Sequence, residues 1–326
     1  MRGAVKWFGR GLLLLAVCAA GLFVLGPYEP VDAEITLDRD AIAADPAGYL
    51  ATREARFGDI RPGQQKQIVW AGAPGAKTPL SVVYFHGFSA SANEIRPVPD
   101  NVAGALGANL VFTRFAGHGR DSRAMGEARA GDWIADAAEA MEVARAVGDE
   151  VVIISTSTGG TLAALAAIDP EMSRGLKGIV FVAPNFGINN PAAPLLTLPA
   201  ARQWLPVLFG ATRSYEPASD AQAASWTTSY PSTAVLPLAA LVQHAVAQDF
   251  GRAGSPALFY FSEHDKVVVP ARTHEIIERW GGPVTVMAPR LGPRDDPNAH
   301  VITGDIMSPG TTAEATGIIL DWVRGM

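Results

Sequence analysis

The sequence predicts an α/β chain: a mostly parallel central sheet with helices on both faces and a helical cap inserted after a core strand. Three observations predict it. Short β-branched runs alternate with segments of helical apolar spacing over most of the chain, the pattern of strands wrapped by helices. The run Val151-Val152-Ile153-Ile154 has no polar break and suits a central strand covered on both faces. Between Pro184 and about Ala253 the alternation stops, and a proline-rich segment carries too many Leu, Val and Trp residues to stay solvated. It reads as a lid of short helices with an apolar inner face.

Taken in order, Arg2, Lys6 and Arg10 precede an uncharged apolar run from Gly11 to about Gly26, with Trp7, Phe8 and Tyr28 near its ends. Residues 1–28 are therefore expected to be a membrane-targeting segment, read as an uncleaved single anchor. The basic flank would stay cytoplasmic and the catalytic part would lie on the periplasmic or extracytoplasmic side. Leu15-Ala16-Val17-Cys18 also resembles a lipoprotein processing site. Residues 29–66 read as a linker leading to an edge element near Gln67–Trp70, and residues 67–326 as the catalytic domain with its cap at about 184–253. Within that domain strands are expected at Leu80–Phe85, Asn109–Thr113, Gly178–Ala183, Ala257–Ser262 and Val284–Met287. Helices are expected from Pro99 or Asp100 to Leu106, and over Asp132–Val147, Arg272–Trp280 and Ala313–Arg324.

A chain of 326 residues, 48% hydrophobic and 18% charged, can bury one domain of roughly 250–280 residues plus additions. Its net charge of −6 gives nucleic acid no electrostatic purchase. Cys18 is the only cysteine, which excludes an internal disulfide and a cysteine-ligated metal site. No metal or organic cofactor is expected.

Chemistry is expected where the strands end. Val151–Leu165 reads as strand, tight turn and helix with Ser157 at the corner, and such a corner needs small residues two before and two after it. They are Ser155 and Gly159. The Thr158 N–H, at the helix start, would face a developing oxyanion. The first strand ends in His86-Gly87-Phe88-Ser89, where the Phe88 N–H can complete the oxyanion hole. A base and an orienting acid should follow Ser157 in the order acid, then histidine. Asp265, just past a strand in Glu263-His264-Asp265-Lys266, is preferred over the longer Glu263 as the carboxylate holding an imidazole. Of six histidines, His300 follows the last strand and precedes the last helix, so it is the expected base. Asp296 could contact its loop.

These pieces resemble the α/β-hydrolase superfamily, in particular bacterial carboxylesterases and monoacylglycerol-lipase-like enzymes, which are grouped with the serine aminopeptidase S33-type hydrolases. The resemblance rests on YFHGFSASANEI from Tyr84, FAGHGRDS from Phe115, STSTGG from Ser155, HDKVVVP from His264, and His300. It implies the α/β-hydrolase fold, Ser157 as nucleophile with Asp265 and His300, and Phe88 and Thr158 as oxyanion donors. Ser155 stands where relatives usually have glycine. The expected activity is hydrolysis of carboxylic esters through an acyl-enzyme. Its alternatives are an S33-type aminopeptidase, for which Glu216 and Asp220 are the available cap acids, and a non-catalytic ligand-binding protein of the same fold.

Overall fold

The computed structural model describes residues 2–326, without the side chains of residues 2–6, 8, 9 and 15. The chain opens with α1 (Arg2–Leu25), α2 (Arg39–Ala44) and α3 (Pro46–Glu54), followed by β1 (Gln67–Val69), β2 (Thr78–Phe85), α4 (Val98–Leu106) and β3 (Asn109–Phe112). Next come α5 (Ser122–Glu127), α6 (Ala130–Val147), β4 (Gly148–Thr156), α7 (Thr158–Ile168) and β5 (Leu176–Val182). The segment after β5 holds α8 (Ala201–Phe209), β6 (Thr212–Ser214), α9 (Asp220–Ser225), β7 (Ser229–Pro231) and α10 (Val235–Val246). It returns to β8 (Ala257–Tyr260), α11 (Pro270–Arg279), β9 (Val284–Met287) and α12 (Thr312–Arg324).

Seven strands form the main sheet in the order β1-β3-β2-β4-β5-β8-β9. All pairs are parallel except β1 with β3. β3 lies on one side of β2 and β4 on the other, so the winding reverses between β2 and β4. Sheets of this kind bind ligands at that reversal, beyond the strand carboxyl ends. β6 and β7 pair only with each other, so the segment between β5 and β8 adds nothing to the main sheet.

Alternate residues of each strand enter two apolar layers, as a twofold side-chain period requires. Val83, Phe85, Val111 and Ile153 join the layer of α6 and α7, with Trp133, Met141 and Leu162. Val82, Tyr84, Leu110, Phe112, Val152 and Ile154 join the layer of α4 and α12, with Val102, Ala315 and Ile319. The α3–β1 region is locked on by charge: buried Lys66 bonds Asp136 at 2.6 Å and Glu139 at 2.9 Å on α6, and Arg114 bonds both Glu54 oxygens at 2.8 and 2.7 Å.

The N-terminal expectation is corrected. No helix among the described residues is long and apolar enough to cross a membrane, so the anchor, the membrane partner and the extracytoplasmic placement that depended on it fall. The physical reason is length: Arg10 interrupts α1, and from Gly11 to Leu25 the helix rises roughly 22 Å at about 1.5 Å per residue, against an apolar bilayer core of about 30 Å. The side chains of Arg2 and Lys6, which were to form the basic flank, lie outside the described ones.

Candidate active site

The corner between β4 and α7 holds Ser157 at φ 52° and ψ −115°, a backbone conformation that a non-glycine residue adopts only under constraint. The constraint comes from both sides. The Ser157 N–H donates to Val182 O at 3.1 Å, and its carbonyl accepts from Gly160 and Asn185, each at 2.9 Å. Gly159 has no room for a side chain, because a Cβ there would sit 2.0 Å from Phe85 O. Ser155, the departure from glycine, is accommodated by function of its own: its hydroxyl donates across the sheet to Val180 O at 2.8 Å.

Asp265, His300 and Ser157 form one hydrogen-bonded row. His300 Nδ1 donates to Asp265 Oδ2 at 2.7 Å, and His300 Nε2 lies 3.0 Å from Ser157 Oγ. Asp265 Oδ1 accepts from the N–H groups of Val267 and Val268 at 2.7 and 2.9 Å, which aims its other oxygen at the imidazole. Burial opposes a charge on His300, but the bond to Asp265 and the charges of Asp265, Glu94 and Asp296 outweigh it and raise its pKa above 6.5. Asp296 shapes the histidine loop, accepting from the N–H groups of Asn298, His300 and Val301 at 3.0, 3.2 and 2.9 Å. Lys266 ties this loop to the acid loop, through its N–H to Asn298 O at 2.9 Å and its Nζ to Pro297 O at 2.8 Å. Glu263, the rival acid, is exposed and pairs with His274 at 2.7 Å.

The N–H groups of Phe88 and Thr158 donate no hydrogen bond to the described residues, which leaves both for a ligand oxygen. His86 has another task. It is fully buried, accepting from the Phe115 N–H at Nε2 and donating to Gly87 O from Nδ1, and burial holds its pKa well below 6.5. Sequence reasoning missed Glu94, which faces Ser157 from inside the same loop. In the sequence it stands only as a lone charge between His86 and Arg96. Its partners are supplied by the fold.

A cavity of about 560 Å³ contains Ser157, His300, Phe88, Thr158 and Glu94, and is roofed by Tyr215, Glu216, Trp226 and Tyr230. Beyond Phe88 and Tyr230 an apolar chamber of about 250 Å³ continues between Ile188, Leu195, Leu196, Leu205 and Val235. Among the described residues no group of three or more His, Cys, Asp or Glu is placed to hold a metal ion.

A parallel sheet with this winding and a serine on the corner after β4 define an α/β-hydrolase, and the class is that of serine hydrolases. Residues 76–286 match the profile of the family described as serine aminopeptidase, S33. The chain belongs to that family. No curated protein matches it. Among solved structures, one described with LipS and LipT, two metagenome-derived lipolytic enzymes, is 20% identical over 82% of this chain and 100% of its own, with a TM-score of 0.67. A soluble variant of monoglyceride lipase from Saccharomyces cerevisiae is 12% identical over 80% of this chain and 90% of its own, with a TM-score of 0.56. The monoacylglycerol lipase of Paleococcus ferrophilus is 13% identical over 80% and 98%, with a TM-score of 0.52. At such identities the likeness is one of fold.

Proposed function

We propose that the chain hydrolyses carboxylic esters of small or medium acyl chain through an acyl-enzyme on Ser157, with residues 67–326 as the catalytic unit and about 184–253 as its cap. The row Asp265–His300–Ser157 carries this reading. His300 Nε2 takes the Ser157 proton as Oγ attacks the ester carbonyl, and the oxyanion turns toward the Phe88 and Thr158 N–H groups. His300 returns that proton to the leaving alcohol oxygen as the C–O bond breaks. Water then gives a proton to His300, attacks the acyl-enzyme and releases the acid, and Ser157 regains its hydrogen. Asp265 keeps the Nδ1–H tautomer and stabilises the imidazolium between these transfers.

The mostly apolar chamber that shares Phe88, Ile188 and Tyr230 with the Ser157 cavity supports an acyl chain as the part to be held, and the lipolytic and monoglyceride lipase proteins of like fold agree with it. Incubation with a fluorophosphonate probe is expected to label the wild type and leave Ser157→Ala unlabelled. Equal labelling of both would remove the nucleophile.

One observation favours a second reading, aminopeptidase action. Glu216 and Glu94 line the cavity and could hold a substrate amine. A comparison of p-nitrophenyl esters with aminoacyl anilides separates the two, and preference for the anilides would overturn the ester assignment.

A further inference from the structure

We propose that Glu94 is a second proton-holding group of the site: its Oε2 pins the turn that presents the Phe88 N–H, and the site works with a proton on Oε1. This rests on the reading of Ser157 as nucleophile. Glu94 is 2% exposed. Its Oε2 accepts from the Gly87 N–H at 2.6 Å and from the Tyr84 hydroxyl at 2.8 Å, and Tyr84 lies 3.0 Å from Thr156 Oγ1, beside Ser157. Two donors occupy the two lone pairs of Oε2. A proton on this carboxyl therefore belongs to Oε1.

Oε1 faces the reacting corner. A Cβ built on Gly87 would lie 2.6 Å from Glu94 Oε1 and 3.2 Å from Ser157 Cβ, so the oxygen flanks the turn where an oxyanion would form. Ionised, Glu94 would place a second negative charge there, in a cavity of low dielectric, and oppose the transition state. Protonated, it removes that charge and adds a donor.

The surroundings favour the proton. No lysine or arginine pairs with Glu94 among the described residues. From β2 it faces Tyr84, from the last loop His300 with Asp296 behind it, and from the roof of the cavity Tyr215 and Glu216. Burial pushes its carboxyl up to about 7, against the pull of the Gly87 and Tyr84 donors and of His300. The charges of Glu94 and His300 act on each other, so the two sites are coupled. With one proton between them, neutral His300 beside the Glu94 acid is the working form. A further proton blocks the base, and loss of the last one leaves the carboxylate.

The test is the rate of fluorophosphonate labelling from about pH 5 to 9.5 for wild type, Glu94→Gln and Tyr84→Phe, with Ser157→Ala as the control for the underlying reading. The wild type is expected to give a bell. Glu94→Gln still accepts from Gly87 and Tyr84, so it is expected to lose the alkaline decline and keep the acid limb, which in both proteins is the protonation of His300 beside an uncharged neighbour. Tyr84→Phe removes a donor to the carboxylate and is expected to move the alkaline limb to higher pH. Identical profiles for wild type and Glu94→Gln overturn the inference. Should Glu94→Gln not fold, an alkaline limb unmoved by Tyr84→Phe overturns it. Labelling that persists in Ser157→Ala overturns the nucleophile, and this inference with it.

Discussion

At the scale of single residues, Gly159 and Asp265 bear the strictest demands. Replacing Gly159 by alanine forces a Cβ to within 2.0 Å of Phe85 O, so β4 and α7 must part from β2. The expected loss is about 2 kcal/mol or more, read as a lower urea midpoint. Asp265→Asn keeps the shape but removes the charge that favours the Nδ1–H tautomer. Its kcat is expected to fall about 10³-fold or more in an ester assay while KM stays close to that of the wild type. Glu94 also marks stability. Its folded pKa of about 7 lies above the ordinary 4.5, so the folded chain holds this proton where the unfolded chain has lost it. The stability this group contributes is full below about 4.5 and is lost as pH rises toward 7. Relative to wild type, Glu94→Gln should therefore gain on the order of 2–3 kcal/mol between pH 5 and pH 8, as urea titrations at the two pH values would show. Ser157, Asp265 and His300 were legible in the sequence because each ends a recognisable strand or precedes a helix. Glu94 was not, because a lone acid in a Gly/Ser loop acquires meaning only once β2 and β4 bring Tyr84 and Thr156 to it.

At the scale of elements, the central strands were legible because a fully buried strand must be apolar at every position, as Val151–Ile154 is. The short helices α2, α3 and α5 were not. They are polar and too brief to be stable alone, and they stand through tertiary partners: Ile42 and Leu50 in the core, Asp38 and Asp45 as N-caps, and Asp121 capping α5. The reading of α1 erred in the other direction, taking apolar composition for spanning length. Lys66 gives a test of how the α3–β1 region is held. Its replacement by methionine leaves Asp136 and Glu139 buried beside an apolar group, so a loss of about 3–5 kcal/mol is expected on urea unfolding. Lys177→Met, which removes a pair with the half-exposed Glu150, should cost under about 1 kcal/mol.

At the scale of the whole molecule, the reversal of winding between β2 and β4 puts the Phe88 turn and the Ser157 corner side by side, and the segment between β5 and β8 roofs both. Its inner face sets the depth of the chamber. Leu196→Trp is expected to fill that space, lowering kcat/KM for an octanoate ester about tenfold or more while sparing the acetate ester; equal losses on both would detach the chamber from acyl binding. The architecture also decides which distance in the site is free to vary. Because Lys266 staples the strand-end loop of Asp265 to the loop of His300, imidazole and carboxylate travel as one raft. The 3.0 Å contact between His300 and the serine hydroxyl is then the one link of the row that no backbone staple spans.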